Sequence, residues 1–87
     1  MPQVKIYSKD PCPYCVNAKR LLNEKNIKYQ EIDLTNNPTE LERLKKETGW
    51  RTVPMIFIGE ELVGGYSDLR ALEDAGKLDA MVAGRKT

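Results

Sequence analysis

Two cysteines occur among 87 residues, and they stand three apart in Cys12-Pro13-Tyr14-Cys15. On a helix, positions i and i+3 share a face with Cβ atoms roughly 5–6 Å apart, and a disulfide needs Cβ atoms about 4 Å apart. Such a pair opens and closes with a small adjustment, which is what thiol–disulfide exchange requires. If Cys12 begins a helix, unpaired backbone N–H groups and the positive end of the helix dipole favour its thiolate. Cys12 is then the candidate nucleophile. Cys15, one turn inside, is the candidate resolving thiol, kept protonated by burial until a mixed disulfide forms on Cys12. Pro13 suits the first helical turn, where its missing N–H costs nothing.

Two other uses of a C-x-x-C pair compete with this one. Tetrahedral zinc needs about four sulfur or nitrogen ligands, and the chain has no histidine and only these two cysteines. A purely structural bridge between residues three apart closes a tiny loop and removes little unfolded-state entropy. Composition is that of an ordinary globular chain, with 40 % hydrophobic and 31 % charged residues, and the formal net charge of +1 gives no electrostatic case for nucleic acid. Met1-Pro2-Gln3-Val4-Lys5 has neither a basic n-region nor an apolar h-region, and no apolar run approaches the ~20 residues of a membrane span. The expectation is a single domain over residues 1–87, cytosolic and without membrane association. In that reducing compartment the pair is transient and catalytic rather than structural.

The elements that must position the cysteines alternate along the chain. Val4-Lys5-Ile6-Tyr7 reads as a strand, with Ser8-Lys9-Asp10-Pro11 as the loop into the motif. The helix that follows takes its apolar stripe from Val16, Ala18, Leu21 and Leu22, turns Lys19, Arg20, Asn23 and Lys25 to water, and ends near Asn26. Tyr29 to Leu34 reads as a second strand. Asn37-Pro38-Thr39-Glu40 signals a second helix start, Leu41 and Leu44 face inward, and Gly49 closes it. Met55-Ile56-Phe57-Ile58 is the short apolar run of a strand covered on both faces, and Gly59-Glu60-Glu61 turns it into Leu62-Val63 as a hairpin. After Gly64-Gly65, a cap at Ser67 or Asp68 precedes Leu69, Leu72, Leu78, Met81 and Val82, in one broken helix or two short ones around Gly76. The order β-α-β-α-β-β-α predicts an α/β fold with a four-stranded mixed sheet and helices on both faces.

Three motifs in this order resemble the dithiol glutaredoxins: Cys12-Pro13-Tyr14-Cys15 after the first strand, Thr52-Val53-Pro54 opening the third, and Gly64-Gly65-Tyr66-Ser67-Asp68-Leu69 after the fourth. The resemblance covers nearly the whole chain. It implies the thioredoxin fold in its minimal glutaredoxin form and glutathione-dependent thiol–disulfide exchange. Glutathione would be a co-substrate, with no cofactor tightly bound. It further implies a cis peptide bond before Pro54, which presents the Val53 backbone to glutathione's cysteinyl peptide as a strand edge would. Gly65, Tyr66 and Ser67 would receive the γ-glutamyl carboxylate at a helix start, and Asp68 the α-ammonium group. Lys9 and Arg51, with Thr52 beside it, are the candidates for the glycyl carboxylate, and Tyr14 lies beside the outer thiol. Implied partners are glutathione and glutathionylated or disulfide-containing client proteins, met by a monomer.

The chain departs from the family pattern at two places. Tyr66 stands where many glutaredoxins carry a third cysteine. Leu41 falls near the family's polar contact on the second helix, leaving Arg43 or Lys45 as substitutes. Trp50, in the loop before Thr52, reads as an exposed lid, a partner contact or, the favoured reading, a packed loop aromatic. A thioredoxin-reductase-dependent redoxin would differ after the fourth strand, and a thioredoxin proper would carry Gly-Pro between its cysteines. A glutathione-ligated iron–sulfur carrier is the alternative from a different functional class, and Pro13 argues against it by resemblance.

Overall fold

Alternation sets the architecture. In β1 (Val4–Ser8) the side chains of Val4, Ile6 and Ser8 are buried on one face while Lys5 and Tyr7 point to the other. A computed structural model describes residues 2–84, with the further elements α1 (Pro13–Glu24), β2 (Tyr29–Asp33), α2 (Pro38–Thr48), β3 (Met55–Ile58), β4 (Glu61–Gly64), α3 (Tyr66–Asp74) and α4 (Leu78–Val82). The sheet order is β2-β1-β3-β4. β1 runs parallel to β2, with Ile6 opposite Glu31, and antiparallel to β3, with Tyr7 opposite Met55. β3 and β4 form the hairpin, in which Ile56 pairs with Gly64 across a bulge.

Each face of this sheet has its own core. On one, Val4, Ile6, Ile56 and Ile58 meet Ala18, Leu21 and Leu22 of α1, Leu69 of α3 and Leu78 of α4. On the other, Met55 with Leu34 packs beneath Leu41 and Leu44 of α2, flanked by Tyr7, Ile32, Val53 and Phe57. The predicted four-stranded mixed sheet with helices on both faces is therefore present. Asn37 caps α2, its side chain accepting the Glu40 N–H at 3.2 Å, and Gly49 ends the helix in the left-handed region at φ 73°. The last helical segment is two short helices on either side of Gly76. Among the described residues no helix is long and apolar enough to cross a membrane.

Three local expectations are corrected. Val16 is 50 % exposed rather than part of the apolar stripe. The face of α1 packed on the sheet runs through Cys15, Ala18 and Leu22, so Val16 falls on the solvent face with Arg20 and Asn23, four and seven residues on. Lys19 and Lys25 do not simply face water. Lys19 reaches Glu31 on β2 at 2.9 Å, and Lys25 ties the end of α1 to Glu73 at 2.9 Å and Asp79 at 3.3 Å. The cap of α3 is Gly65 rather than Ser67 or Asp68, because helical geometry already begins at Tyr66.

Candidate active site

The register collects the chemistry at one edge of the sheet. Tyr7 pairs with Met55 and Ile56 with Gly64, so the end of β1, the start of β3 and the end of β4 lie side by side. The three motifs extend from those ends. Cys12 is the N-cap of α1, with an extended backbone at φ −150° and ψ 90°, and Pro13 fills the first helical position. The Cys12 carbonyl accepts the Val16 N–H at 3.2 Å, and its Sγ accepts the Cys15 N–H at 3.1 Å. A serine or aspartate oxygen usually takes this capping bond, and here a sulfur does. A thiolate at Cys12 would keep that donor and the field of the helix start.

Cys12 and Cys15 are joined as a disulfide with Cα atoms 5.2 Å apart. Their surroundings are unequal. Cys15 is buried at 2 % exposure, whereas Cys12 is only half-buried and Tyr14 between them is 62 % exposed. An incoming thiol can therefore approach the outer sulfur and not the inner one. The loop before Cys12 is held from below: the Asp10 N–H donates to Thr35 Oγ1 at 2.9 Å, and the Thr35 N–H and hydroxyl both donate to Asp33 Oδ1. Those two donors hold the Asp33 carboxyl below its ordinary pKa. Both the Asp10–Pro11 and the Val53–Pro54 peptide bonds are cis; the resemblance implied only the second.

Beside the motif lies a cleft of about 430 Å³. Tyr14 forms one wall. Thr52, Val53 and Pro54 form the second, and Gly65, Tyr66, Ser67 and Asp68 the third. Of the predicted site residues these eight converge on one cavity, next to but not including the two sulfurs. Lys9 and Arg51 are exposed and do not line it. Arg43 pairs with Glu40 and Glu47 and Lys45 with Glu42, all within α2 and away from the cleft. Leu41 is in the core.

The α3 wall sets free backbone donors beside a carboxylate. The Gly65 N–H donates to Asp68 Oδ2 at 3.0 Å, and the next groups, the N–H of Tyr66 and Ser67, belong to the first helical turn, where no preceding carbonyl can reach them. Trp50 is the packed loop aromatic expected, but sequence reasoning did not place it among the site residues, and it completes the cavity from the α2 side. The signal was its place two residues before Thr52, in the loop that carries the Val53 backbone. A larger hollow of about 600 Å³ lies at the opposite edge, where β1 and β2 begin, between Gln3, Asn26, Tyr29 and Val82. It lies at the end of the sheet away from the cysteine pair, so the smaller cleft, beside the start of α1, is the one where chemistry can occur.

Comparison with known proteins agrees with this geometry. The glutaredoxin family model matches residues 4–63. A glutaredoxin of Pseudomonas aeruginosa is 49 % identical over 83 residues, covering 95 % of this chain and 99 % of that protein. The solution structure of a Brucella melitensis glutaredoxin superposes with a TM-score of 0.85 at 43 % identity, covering 100 % of this chain and 96 % of the other. The crystal structure of a buckwheat glutaredoxin–glutathione complex superposes at 0.89 with 31 % identity, covering 95 % and 78 %. A cysteine pair that caps its own helix, a cis-proline loop facing it, and agreement of sequence and fold over nearly the full length place this chain in the glutaredoxin family, on the thioredoxin fold.

Proposed function

We infer that the protein reduces protein–glutathione mixed disulfides and protein disulfides, with Cys12 as the attacking thiol, Cys15 as the resolving thiol and glutathione as co-substrate. The observation that carries this reading is the unequal exposure of the two bonded cysteines at a helix start beside a cleft. In the first step the Cys12 thiolate attacks the glutathione sulfur of a mixed disulfide, forming Cys12–S–S–glutathione and expelling the client as its thiolate. A second glutathione thiolate then attacks that glutathione sulfur, releasing glutathione disulfide and restoring the Cys12 thiolate. On a client disulfide, Cys12 forms a mixed disulfide with the client. The Cys15 thiolate next attacks Cys12 Sγ, freeing the reduced client and leaving the Cys12–Cys15 bond, which two glutathiones reduce in turn.

The cleft offers groups of the right chemistry for the tripeptide. The Val53 backbone would pair with the cysteinyl peptide, with Thr52 and Pro54 shaping that edge and Tyr14 covering it. The N–H groups of Tyr66 and Ser67 beside Gly65 would take the γ-glutamyl carboxylate, and the Asp68 carboxylate the α-ammonium. Lys9 and Arg51, both exposed, would meet the glycyl carboxylate. The reading carries with it glutathionylated or disulfide-containing clients, a monomer and a cytosolic setting.

The test is NADPH consumption coupled through glutathione and glutathione reductase, on a glutathionylated peptide and on a disulfide-linked client. Cys12→Ser should lose both activities by at least about 10³-fold. Cys15→Ser should keep the first and lose the second. Loss of both in Cys15→Ser would end this division of labour.

A further inference from the structure

The two walls that would hold the cysteinyl and γ-glutamyl parts of glutathione come from distant parts of the chain, and one side chain spans them. Trp50 belongs to the loop that leads to Thr52 and Val53, and its backbone is fixed to the end of α2: the Trp50 N–H donates to Thr48 Oγ1 at 3.1 Å, and that hydroxyl donates to the Leu44 carbonyl at 2.7 Å. From there the indole reaches across to the other wall. A Cβ placed on Gly64 would lie 3.0 Å from Trp50 Cη2, and one on Gly65 would lie 3.5 Å from Trp50 Cζ2. The edge of the six-membered ring therefore lies on the Gly64-Gly65 backbone, immediately before the first turn of α3. The same Gly64 Cβ would fall 2.5 Å from Asp68 Oδ2, so ring, glycine and carboxylate fill one small space together.

We propose that Trp50 is a positioning residue for the glutathionyl group, its ring setting where the α3 N-terminus stands relative to the Val53 backbone. This rests on the reading that the cleft binds glutathione. The ring offers a rigid plane with few rotatable bonds, so a contact made by it fixes distance at little entropic cost. Its Nε1–H is buried and, among the described residues, has no partner. An indole that served only to fill the α2-side core would more economically be a phenylalanine, since an unpaired buried donor is a penalty. Breadth of ring is what the site keeps, because the Cζ2 and Cη2 atoms that fill the space beside Gly64 and Gly65 lie on the outer of the two indole rings, and a phenylalanine has only one ring. Trp50→Phe should therefore be an intermediate case, and a small side chain should let the turn drift.

The experiment compares wild type, Trp50→Phe, Trp50→Leu and Trp50→Ala in two measurements. In the coupled assay, Trp50→Ala and Trp50→Leu should raise KM for a glutathionylated peptide about tenfold with kcat held within about twofold, and Trp50→Phe about threefold. Amide hydrogen exchange is followed in parallel at Gly65 and Leu69, whose N–H groups donate to Asp68 Oδ2 and the Gly65 carbonyl. Exchange there should accelerate in the same order, Phe least and Ala most, without global acceleration at Ile6 and Ile56. Unchanged KM with unchanged exchange at Gly65 and Leu69 would overturn the proposal, as would a fall in kcat at constant KM. Wild type inactive with glutathione would remove the functional reading instead, and the exchange pattern would still decide whether Trp50 positions the turn.

Discussion

Three helices of this protein begin near the same physical problem, a set of backbone N–H groups with no carbonyl to meet them, and they solve it differently. α2 satisfies its start locally: the Asn37 side chain accepts the Glu40 N–H, and Pro38 removes another donor. α1 is capped by a sulfur, so its solution is open to oxidation and reduction. α3 is capped from inside by Asp68, which satisfies the Gly65 N–H and leaves those of Tyr66 and Ser67 to the cleft. A start that closes on itself is scaffold, whereas one whose cap reacts, or whose donors stay unmatched beside a cavity, is a site. The α1 and α3 starts face each other across one cleft, and α2 lies behind the sheet.

The sharpest way to break the contrast is at Gly64. Its backbone sits at φ +118°, which side chains rarely adopt, and a Cβ there would collide with both Asp68 and Trp50. Gly64→Ala should destabilise by roughly 2 kcal/mol from strain and crowding, seen as a Tm drop of about 10 °C. A drop of under about 2 °C would mean that the α3 start is less constrained than its geometry implies. Next in size is Asp68→Asn. The amide oxygen can still accept the Gly65 N–H, so the cap survives while the charge that would meet glutathione's ammonium is gone. KM for a glutathionylated peptide should rise about tenfold with Tm nearly unchanged. Equal KM would show that Asp68 serves only as a cap.

Much of this was legible because period and punctuation agree. The strand alternation of Val4 to Ser8, the Asn37-Pro38 start of α2 and the apolar run Met55 to Ile58 each state one structure in local terms, and the sheet follows from their order. The cysteines could be placed at a helix start from spacing and Pro13 alone. The cleft could not. Its walls are fixed by the pairing of Ile56 with Gly64 and by the ring of Trp50 lying on glycines 14 and 15 residues further along the chain, and nothing local encodes that approach. Val16 was misassigned to the apolar stripe because hydrophobicity alone does not say which 100° of a helix is buried. The docking of Ala18, Leu21 and Leu22 on the sheet sets that phase. Lys19 and Lys25 looked like solvated charges because their carboxylate partners, Glu31 and Glu73, belong to other elements.

Smaller effects separate scaffold from site. Asn37→Ala should cost about 1 kcal/mol of stability through loss of the α2 cap and leave turnover of both substrates unchanged, in contrast to Asp68→Asn. A change in KM would make α2's start part of the site after all.

The last difference is pH-dependent and concerns how α1 is tied down. Its Lys19 donates to the Glu31 carboxylate, which also accepts the buried Ser8 hydroxyl at 2.8 Å, so strand and helix share one carboxylate. The Lys19 bond first and the Ser8 bond second hold Glu31 below its ordinary value of 4.5, and Glu31 raises Lys19 in return. A carboxyl whose folded pKa is depressed stabilises the fold fully above its unfolded value and loses that contribution as pH falls through the folded one. The Lys19 shift acts at the other end: its contribution is complete below 10.5 and fades above it. Both side chains are partly exposed, so the pair contributes only about 0.5 kcal/mol after screening. Glu31→Gln keeps an acceptor for Ser8 and removes the titration. Its Tm should sit about 2–4 °C below wild type at pH 7, with the gap closing as the pH is lowered from about 4.5 towards 3. A gap that persisted undiminished at pH 3 would assign the bond to packing rather than charge.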